Sequence, residues 1–313
     1  AILSLLLDSE GNLWIGSWEG GLSILRKGTD SIVHISSVSE FHPPPGNFIF
    51  SMYEDSNRNI WIGAYKHGLT LYVPEENMFY EFKEKGYPRA ISFNNVQAVH
   101  ESHGYIWIGT EGGGVDRIKL NNRHEVIELV NYSYSGQDSS QISNNFVTCI
   151  YSDAKGNLWM GTHGGGLNRY DAENDRFEFI TIAEGLPSNL IYAIEDDDKG
   201  HIWISTNKGI AEYDPVSKAV NVYDEADGLQ SSMFYRRSSY KKRNGELLFG
   251  GINGVTRFHP SKILRNPHVT PVYITSMTVS NAALQPSPNG HLTQNIVVAE
   301  EVDLPYHKND FTI

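Results

Sequence analysis

One cysteine, Cys149, stands in 313 residues, so no disulfide can form within the chain. A large apolar core needs no such staple, and the lack says nothing of compartment. No run of 18 apolar residues occurs, which excludes a membrane-spanning helix read from sequence. Basic residues are few: 25 against 37 acidic ones, a net charge of -12. A surface of that sign repels phosphate backbones and anionic lipid, which argues against nucleic-acid contact by this region. The usual catalytic signatures are also missing. There is no nucleophile elbow, no zinc-ligand spacing and no glycine loop followed by a helix.

What is present is glycine, 29 residues, and 12% aromatics, a composition that favours strands and turns. One phrase returns. It reads "GNLWIGSWEGGLSIL" at Trp14, "RNIWIGAYKHGLTLY" at Trp61, "GYIWIGTEGGGVDRI" at Trp107, "GNLWMGTHGGGLNRY" at Trp159 and "GHIWISTNKGIAEYD" at Trp203. A sixth copy, "GELLFGGINGVTRFH", is read with Phe249 in the Trp place, giving spacings of 47, 46, 52, 44 and 46. The long connection from Asn131 to Asn145 accounts for the 52, and it either overhangs the variable loop face or is a solvated insertion. Each period holds four β segments, and units of about 40–50 residues with four strands are propeller blades. Ile60, Trp61 and Ile62 are consecutive and apolar. Such a strand is covered on both faces, as between neighbouring blades.

The expected architecture is all-β. Six four-stranded blades belong to a seven-bladed ring at 1–265, the sixth short of its outer strand, and 266–313 opens a β-sandwich-like domain. The chain starts at "AILSLLLD" and stops at "NDFTI", both strand-like, and reads as a fragment of a longer protein.

The phrase "GNLWMGTHGGGLNRYD", with "GLPSN" before a first strand, resembles the two-component regulator propeller repeat. The succession "ELLFGGINGVTRFHPSKI", "PVYITSMTVSN" and "DLPYHKNDFTI" resembles the last blade of that family leading into its three-tyrosine domain. The resemblance implies the periplasmic sensor region of a hybrid two-component system of Bacteroidetes type. Such a region senses an oligosaccharide released from a complex glycan and controls genes for its use. It further implies a homodimer, and a membrane helix and kinase that lie outside this chain.

Features repeated in every blade build it. The Trp residues pack between blades, the glycines allow tight loops, and Asn47, Asn94, Asn145 and Asn189 cap turns. The "EDDDKG" stretch is hairpin chemistry rather than a calcium loop, so no metal, cofactor or catalytic residue is assigned. Function belongs where blades differ on one face. The expected oligosaccharide-binding residues are Trp18, Glu19, Tyr65, His67, Glu111, His163, Phe234, Tyr235, Arg236 and Arg237. Asn207, Lys208, Phe48 and Phe146 lie beside them. Aromatic faces stack on sugar CH groups while polar groups bond hydroxyls. Tyr235 is read as standing in the recurring Asn slot. Two alternatives stay open: a glycan-active propeller enzyme, glycosidase or lyase, using two carboxylates such as Glu19 and Glu111, or a protein-interaction scaffold.

Overall fold

The computed structural model describes residues 1–35, 46–136, 140–263, 273–288, 290–299, 301–306 and 310–313. They fall into two units, Ala1–Lys262 and Ile263–Ile313. The first is a succession of antiparallel meanders. Blade one is β1 (Ile2–Leu7), β2 (Leu13–Ser17), β3 (Gly21–Leu25) and β4 (Ile32–Ile35). Blade two is β5 (Ile49–Glu54), β6 (Ile60–Ala64), β7 (Gly68–Val73) and β8 (Met78–Glu84), extended by β9 (Ala90–Ile91), which pairs in parallel with β8. Blade three is β10 (Val96–Ser102), β11 (Tyr105–Thr110), β12 (Val115–Leu120) and β13 (Val126–Tyr132). Blade four is β14 (Val147–Ser152), β15 (Leu158–Thr162), β16 (Leu167–Asp171) and β17 (Arg176–Ile180). Blade five is β18 (Ile191–Asp196), β19 (Ile202–Thr206), β20 (Gly209–Tyr213) and β21 (Val220–Tyr223). Blade six has three strands, β22 (Phe234–Lys241), β23 (Leu247–Gly251) and β24 (Gly254–Phe258). The first strands of successive blades lie side by side, which is the arrangement of a propeller. The second unit holds a small sheet of β25 (Thr278–Val279), β26 (Ala282–Ala283) and β27 (Phe311–Thr312) around buried Met277, Val279 and Leu292.

The repeated residues build, as their recurrence requires. The second strands β6, β11, β15 and β19 are buried almost end to end, and Trp14, Trp61, Trp107, Trp159 and Trp203 are all less than 5% exposed. Each indole keeps a polar partner. Trp14, Trp61, Trp159 and Trp203 donate Nε1–H to Asp8, Asp55, Asp153 and Asp197, at 2.8, 2.9, 2.9 and 3.2 Å. The same carboxylates accept the backbone N–H groups of the hairpin turn, so one Asp closes the turn and satisfies the buried Trp. Blade three has no Asp there, and Trp107 donates to the Ser102 carbonyl. Neighbouring blades are stapled at the same end. Ser9 donates N–H and O–H to Glu54, Ser56 does so to Glu101, and Ala154 N–H goes to Asp196.

The glycine loop is equally structural. Gly166 has φ +79°, and a Cβ there would meet the Ile180 carbonyl oxygen at 2.3 Å. Gly166 N–H pairs instead with the Asn189 carbonyl of the next blade. The Asn side chain caps the loop leading to its own strand: Asn94, Asn145 and Asn189 Oδ1 accept from Glu84, Tyr134 and Ile182 N–H. In the 131–145 connection, residues 137–139 lie outside the described ones; Ile142 is buried in the core.

Two registers read from the sequence are corrected in blade six. The turn closed by Lys242 N–H on the Glu246 carbonyl matches the turn closed by Asp153 on Asn157. Leu248, paired with Tyr240, therefore stands in the Trp place, and Phe249 takes the place of Met160, one residue on. The Gly209 N–H that seeks the recurring Asn carbonyl finds Ser232, so Ser232 holds the Asn slot and Tyr235 does not.

Candidate functional site

The loop face is assembled from two positions per blade: the residue just after the second strand, and its backbone partner in the segment leading to the first. Tyr65 N–H bonds the Phe48 carbonyl at 3.0 Å, Glu111 the Asn95 carbonyl at 2.8 Å, and His163 the Phe146 carbonyl at 2.9 Å. Strand pairing thus fixes which side chains meet on this face.

Blades one and two supply rings. Trp18 lies edge-on to Phe48 at 4.8 Å and tilted against Phe50 at 6.2 Å; Tyr65 packs edge-on to both phenylalanines. Trp18 is 45% exposed, the one tryptophan of six that is not buried. Blades three and four supply polar groups. Gln97 Nε2 donates to Glu111 at 2.7 Å, and the His163 ring stacks on Phe146 at 5.0 Å.

Blade six joins the two groups through an irregular β22. In blades two to five a single residue, Phe50, Gln97, Thr148 or Tyr192, bulges out of the first strand at one register shift. In β22 the shift spans Phe234 to Ser239, and Ser238 lies against Gly250 as Ser51 lies against Gly63. Three residues, Tyr235, Arg236 and Arg237, therefore occupy the place of one, with Arg237 at φ +53°. This two-residue insertion sends Arg237 across to blades two and three. Its guanidinium donates to the Gln97 carbonyl and lies over the Phe50 ring at 5.6 Å. Arg236 lies over Phe146 at 4.8 Å. Burial pulls the Arg237 guanidinium down to about 10, with Arg236 adding like-charge repulsion.

Seven of the ten residues expected from the sequence are thus tied to this face: Trp18, Tyr65, Glu111, His163, Arg236 and Arg237 by contacts within the cluster, and exposed Tyr235 by its place in the insertion. Phe234 is a correction. It is 4% exposed and packs on Phe249, in the slot that Ile49, Val96, Val147 and Ile191 fill elsewhere. Glu19 is exposed in the turn after Trp18 with φ 66°, and exposed His67 lies against Gly46. Neither is tied to the cluster by a contact. Gln97 and Phe50 escaped the sequence reading. Both sit one residue into regular-looking strands, and only the bulge turns them inward.

The space between β1 and blade six is lined by Ala1 to Leu5, Phe50, Gln97, Tyr235 to Tyr240, Leu248, Gly250 and Val255, and it is the opening that a seventh blade of the expected ring would fill rather than a built cleft. On the hairpin side, Asp197, His201 and Glu212 are the one group among the described residues with the donors for a cation. His201 Nδ1 lies 3.2 Å from Asp197 and 2.9 Å from Glu212, where blades one, two and four carry Asn12, Asn59 and Asn157.

The two-component regulator propeller family matches residues 1–19, 43–66, 141–164 and 185–208, the stretches that lead into and through the Trp strands. The extracellular domain of the B. thetaiotaomicron hybrid two component system BT3049 superposes with a TM-score of 0.73 at 28% identity, over 99% of this chain and 40% of that one. A histidine kinase P4 of Formosa agariphila is 26% identical over 227 residues, 72% of this chain and 16% of its own length. A streptogramin B lyase shares the fold alone, with a TM-score of 0.59 at 14% identity, over 87% of this chain and 84% of that one. The chain thus spans well under half of the first two relatives, and no helix among the described residues is long and apolar enough to cross a membrane. Four stretches of the chain thus match the two-component regulator propeller repeat, and its fold is that of the extracellular domain of a hybrid two component system.

Proposed function

We propose that this chain is the sensing part of a histidine-kinase two-component protein, working outside the cytoplasm in the periplasm and acting by binding rather than catalysis. Its ligand is an oligosaccharide held on the loop face, and the segment after Lys262, resembling the opening of a three-tyrosine domain, carries the signal onward in a homodimer. The observation that carries this reading is the convergence of Trp18, Phe48, Phe50 and Tyr65 with Gln97, Glu111, His163, Arg236 and Arg237 on one face. Flat apolar rings beside amide, carboxylate and guanidinium groups suit a ligand with apolar CH faces and polar edges. The kinase relative and the extracellular relative support a sensor.

Catalysis by a carboxylate pair finds no support in the geometry. Glu111 is held by Gln97, and Glu19 has no contact with the cluster. The test is titration of the purified chain with neutral and acidic oligosaccharides, followed by calorimetry and tryptophan fluorescence. Five of the six tryptophans are buried, so a ligand on this face should change the Trp18 signal, and Trp18→Phe should abolish the change. Binding without a fluorescence change moves the site elsewhere, and turnover of any bound saccharide overturns the non-catalytic reading.

A further inference from the structure

Blade five departs from its neighbours at two positions, and both departures meet the recurring turn aspartate. Where blades one, two and four carry Asn12, Asn59 and Asn157, blade five carries His201. Opposite the Trp, the third strand presents Ile24, Leu71, Arg117 and Arg169 in blades one to four, and Glu212 in blade five. His201 Nδ1 lies 3.2 Å from Asp197 Oδ2 and 2.9 Å from Glu212 Oε1, and the three donor atoms all lie within 4.8 Å of one another. Asp197 and Glu212 are buried, and the imidazole is partly exposed. Each carboxylate is oriented through its other oxygen. Asp197 Oδ1 accepts the Lys199 and His201 N–H groups, and Glu212 Oε2 accepts from Asn221 Nδ2 and the Tyr223 hydroxyl. Oδ2 and Oε1 are thereby turned to the imidazole. Oδ2 also keeps the Trp203 N–H at 3.2 Å, the longest of the four Asp–Trp bonds. All of these residues lie between Asp197 and Tyr223, within blade five, so the arrangement does not depend on the opening beside β1.

A polar pair alone needs less than this. In blade four the same two positions hold Asn157 and Arg169, and Arg169 Nη2 donates to Asn157 Oδ1 at 2.8 Å. Blade five instead turns two carboxylate oxygens on one ring nitrogen, which carries at most a single N–H to share between them. We propose that Asp197, His201 and Glu212 bind a divalent metal ion of the zinc type. One imidazole nitrogen and two carboxylate oxygens make up such a donor set, with a further position left for water. Calcium suits it poorly, since that ion takes about six to eight oxygen ligands. On binding, the Nδ1 lone pair goes to the metal; the remaining ring proton sits on Nε2, and a second proton, if the ring was charged, is released to water. The hydrogen bonds on Asp197 Oδ1 and Glu212 Oε2 are the outer contacts that hold ligating carboxylates in place. The ion fastens the hairpin turn to the start of β19 and to β20, and the partly exposed imidazole edge is its way in. This site lies apart from the loop face and does not rest on the sensor reading.

The experiment takes the whole chain, freed of metal with a chelator, and titrates it with zinc, cobalt and calcium chlorides by calorimetry, with melting curves alongside. The expected result is a single zinc ion per chain, a higher melting temperature with zinc, visible absorption bands of bound cobalt, and calcium weaker than zinc by at least about tenfold. His201→Asn installs the residue that blades one, two and four already use, so it should fold. It should weaken zinc by at least about tenfold and remove the melting shift, and Glu212→Gln should do the same. His103→Asn, at an exposed histidine of blade three, should change neither. No zinc or cobalt binding by the folded chain overturns the proposal. So does binding that His201→Asn leaves unchanged, which would assign the ion to surface histidines and make His201 a hydrogen-bonded bridge of the Asn157–Arg169 kind. If Glu212→Gln fails to fold, His201→Asn and the cobalt bands decide by themselves. None of these outcomes bears on the oligosaccharide titration.

Discussion

A buried indole needs a hydrogen-bond acceptor as much as it needs neighbours, and four blades meet that need with the same aspartate. Asp153 takes the Trp159 Nε1–H, the Asn157 side chain and the turn N–H groups of Lys155 and Asn157. Asp153→Ala should therefore cost about 2–3 kcal/mol, since it strips the acceptor from buried donors. Trp159→Ala should cost about 3–5 kcal/mol. His163→Ala, half-buried on the loop face, should cost less than about 1 kcal/mol in the same denaturant melts. Losses of equal size would mean that building and reading are not separated between these residues. The sequence shows Asp, Asn and Trp recurring together, yet the bond from Asp to the Trp six residues on depends on the turn's geometry, and hairpin chemistry alone accounts for only half of what that Asp does. Glu195 gives a second residue-scale test. Burial raises its carboxyl from 4.5 to about 7, partly offset by a hydrogen bond from Ser239. A raised carboxyl favours the neutral form in the fold, so its stabilising share is complete below about pH 4.5 and is lost as pH rises towards 7. Glu195→Gln should flatten stability across that window and melt higher than the parent at pH 8, by up to about 3 kcal/mol. An unchanged pH profile would show that Lys241, beside Asp196, already compensates the charge.

Among the elements, β22 departs from the pattern of the other first strands. Elsewhere one bulged residue turns a side chain inward while the ladder resumes at the next pair, which is how a bulge re-aims a side chain without ending a strand. Deleting Tyr235 and Arg236 should restore the single-residue bulge, with Arg237 in the position of Phe50 and Gln97. Because the deleted side chains are exposed, the melting temperature should hold or rise while binding of saccharide is lost. A collapse of the melting transition would instead make the insertion a structural necessity of the last blade. The insertion was only half legible. "MFYRR" stands out in sequence, but blade six has lost three of its landmarks together: Lys242 replaces the turn Asp, Leu248 the Trp and Ser232 the Asn. With no landmark on either side, Phe249 draws the alignment one residue off and Tyr235 falls into a slot it does not hold. Where the Trp and the glycine loop survive, in blades one to five, strand order and register could be read directly, even in blade three without its turn Asp, because glycine and Trp are demanded by the backbone and the core rather than by the ligand.

For the whole molecule the question is how occupancy of one face reaches the rest of the chain. A ligand shifts an equilibrium only by its differential affinity for two states, so a sensor must bind where an element belongs to both the site and the route out. Blade six meets that condition by sequence: β22 carries the arginines, β24 ends at Phe258, and the first unit closes at Lys262. Binding at one hundred times the dissociation constant stabilises the bound form by about 2.7 kcal/mol, enough to slow amide exchange strongly in whatever opens with the site. Saturating ligand should therefore slow hydrogen exchange first at Tyr235–Ser238. It should also slow exchange through β23 and β24 and change it beyond Lys262, in β25 and β27. Blade three's outer strand β13, remote in sequence from that route, should be unaffected. Protection confined to the loop face, with the amides after Lys262 unchanged, would describe a saccharide-binding propeller that does not signal through its following segment, and the output would then have to run through the partner subunit of a dimer.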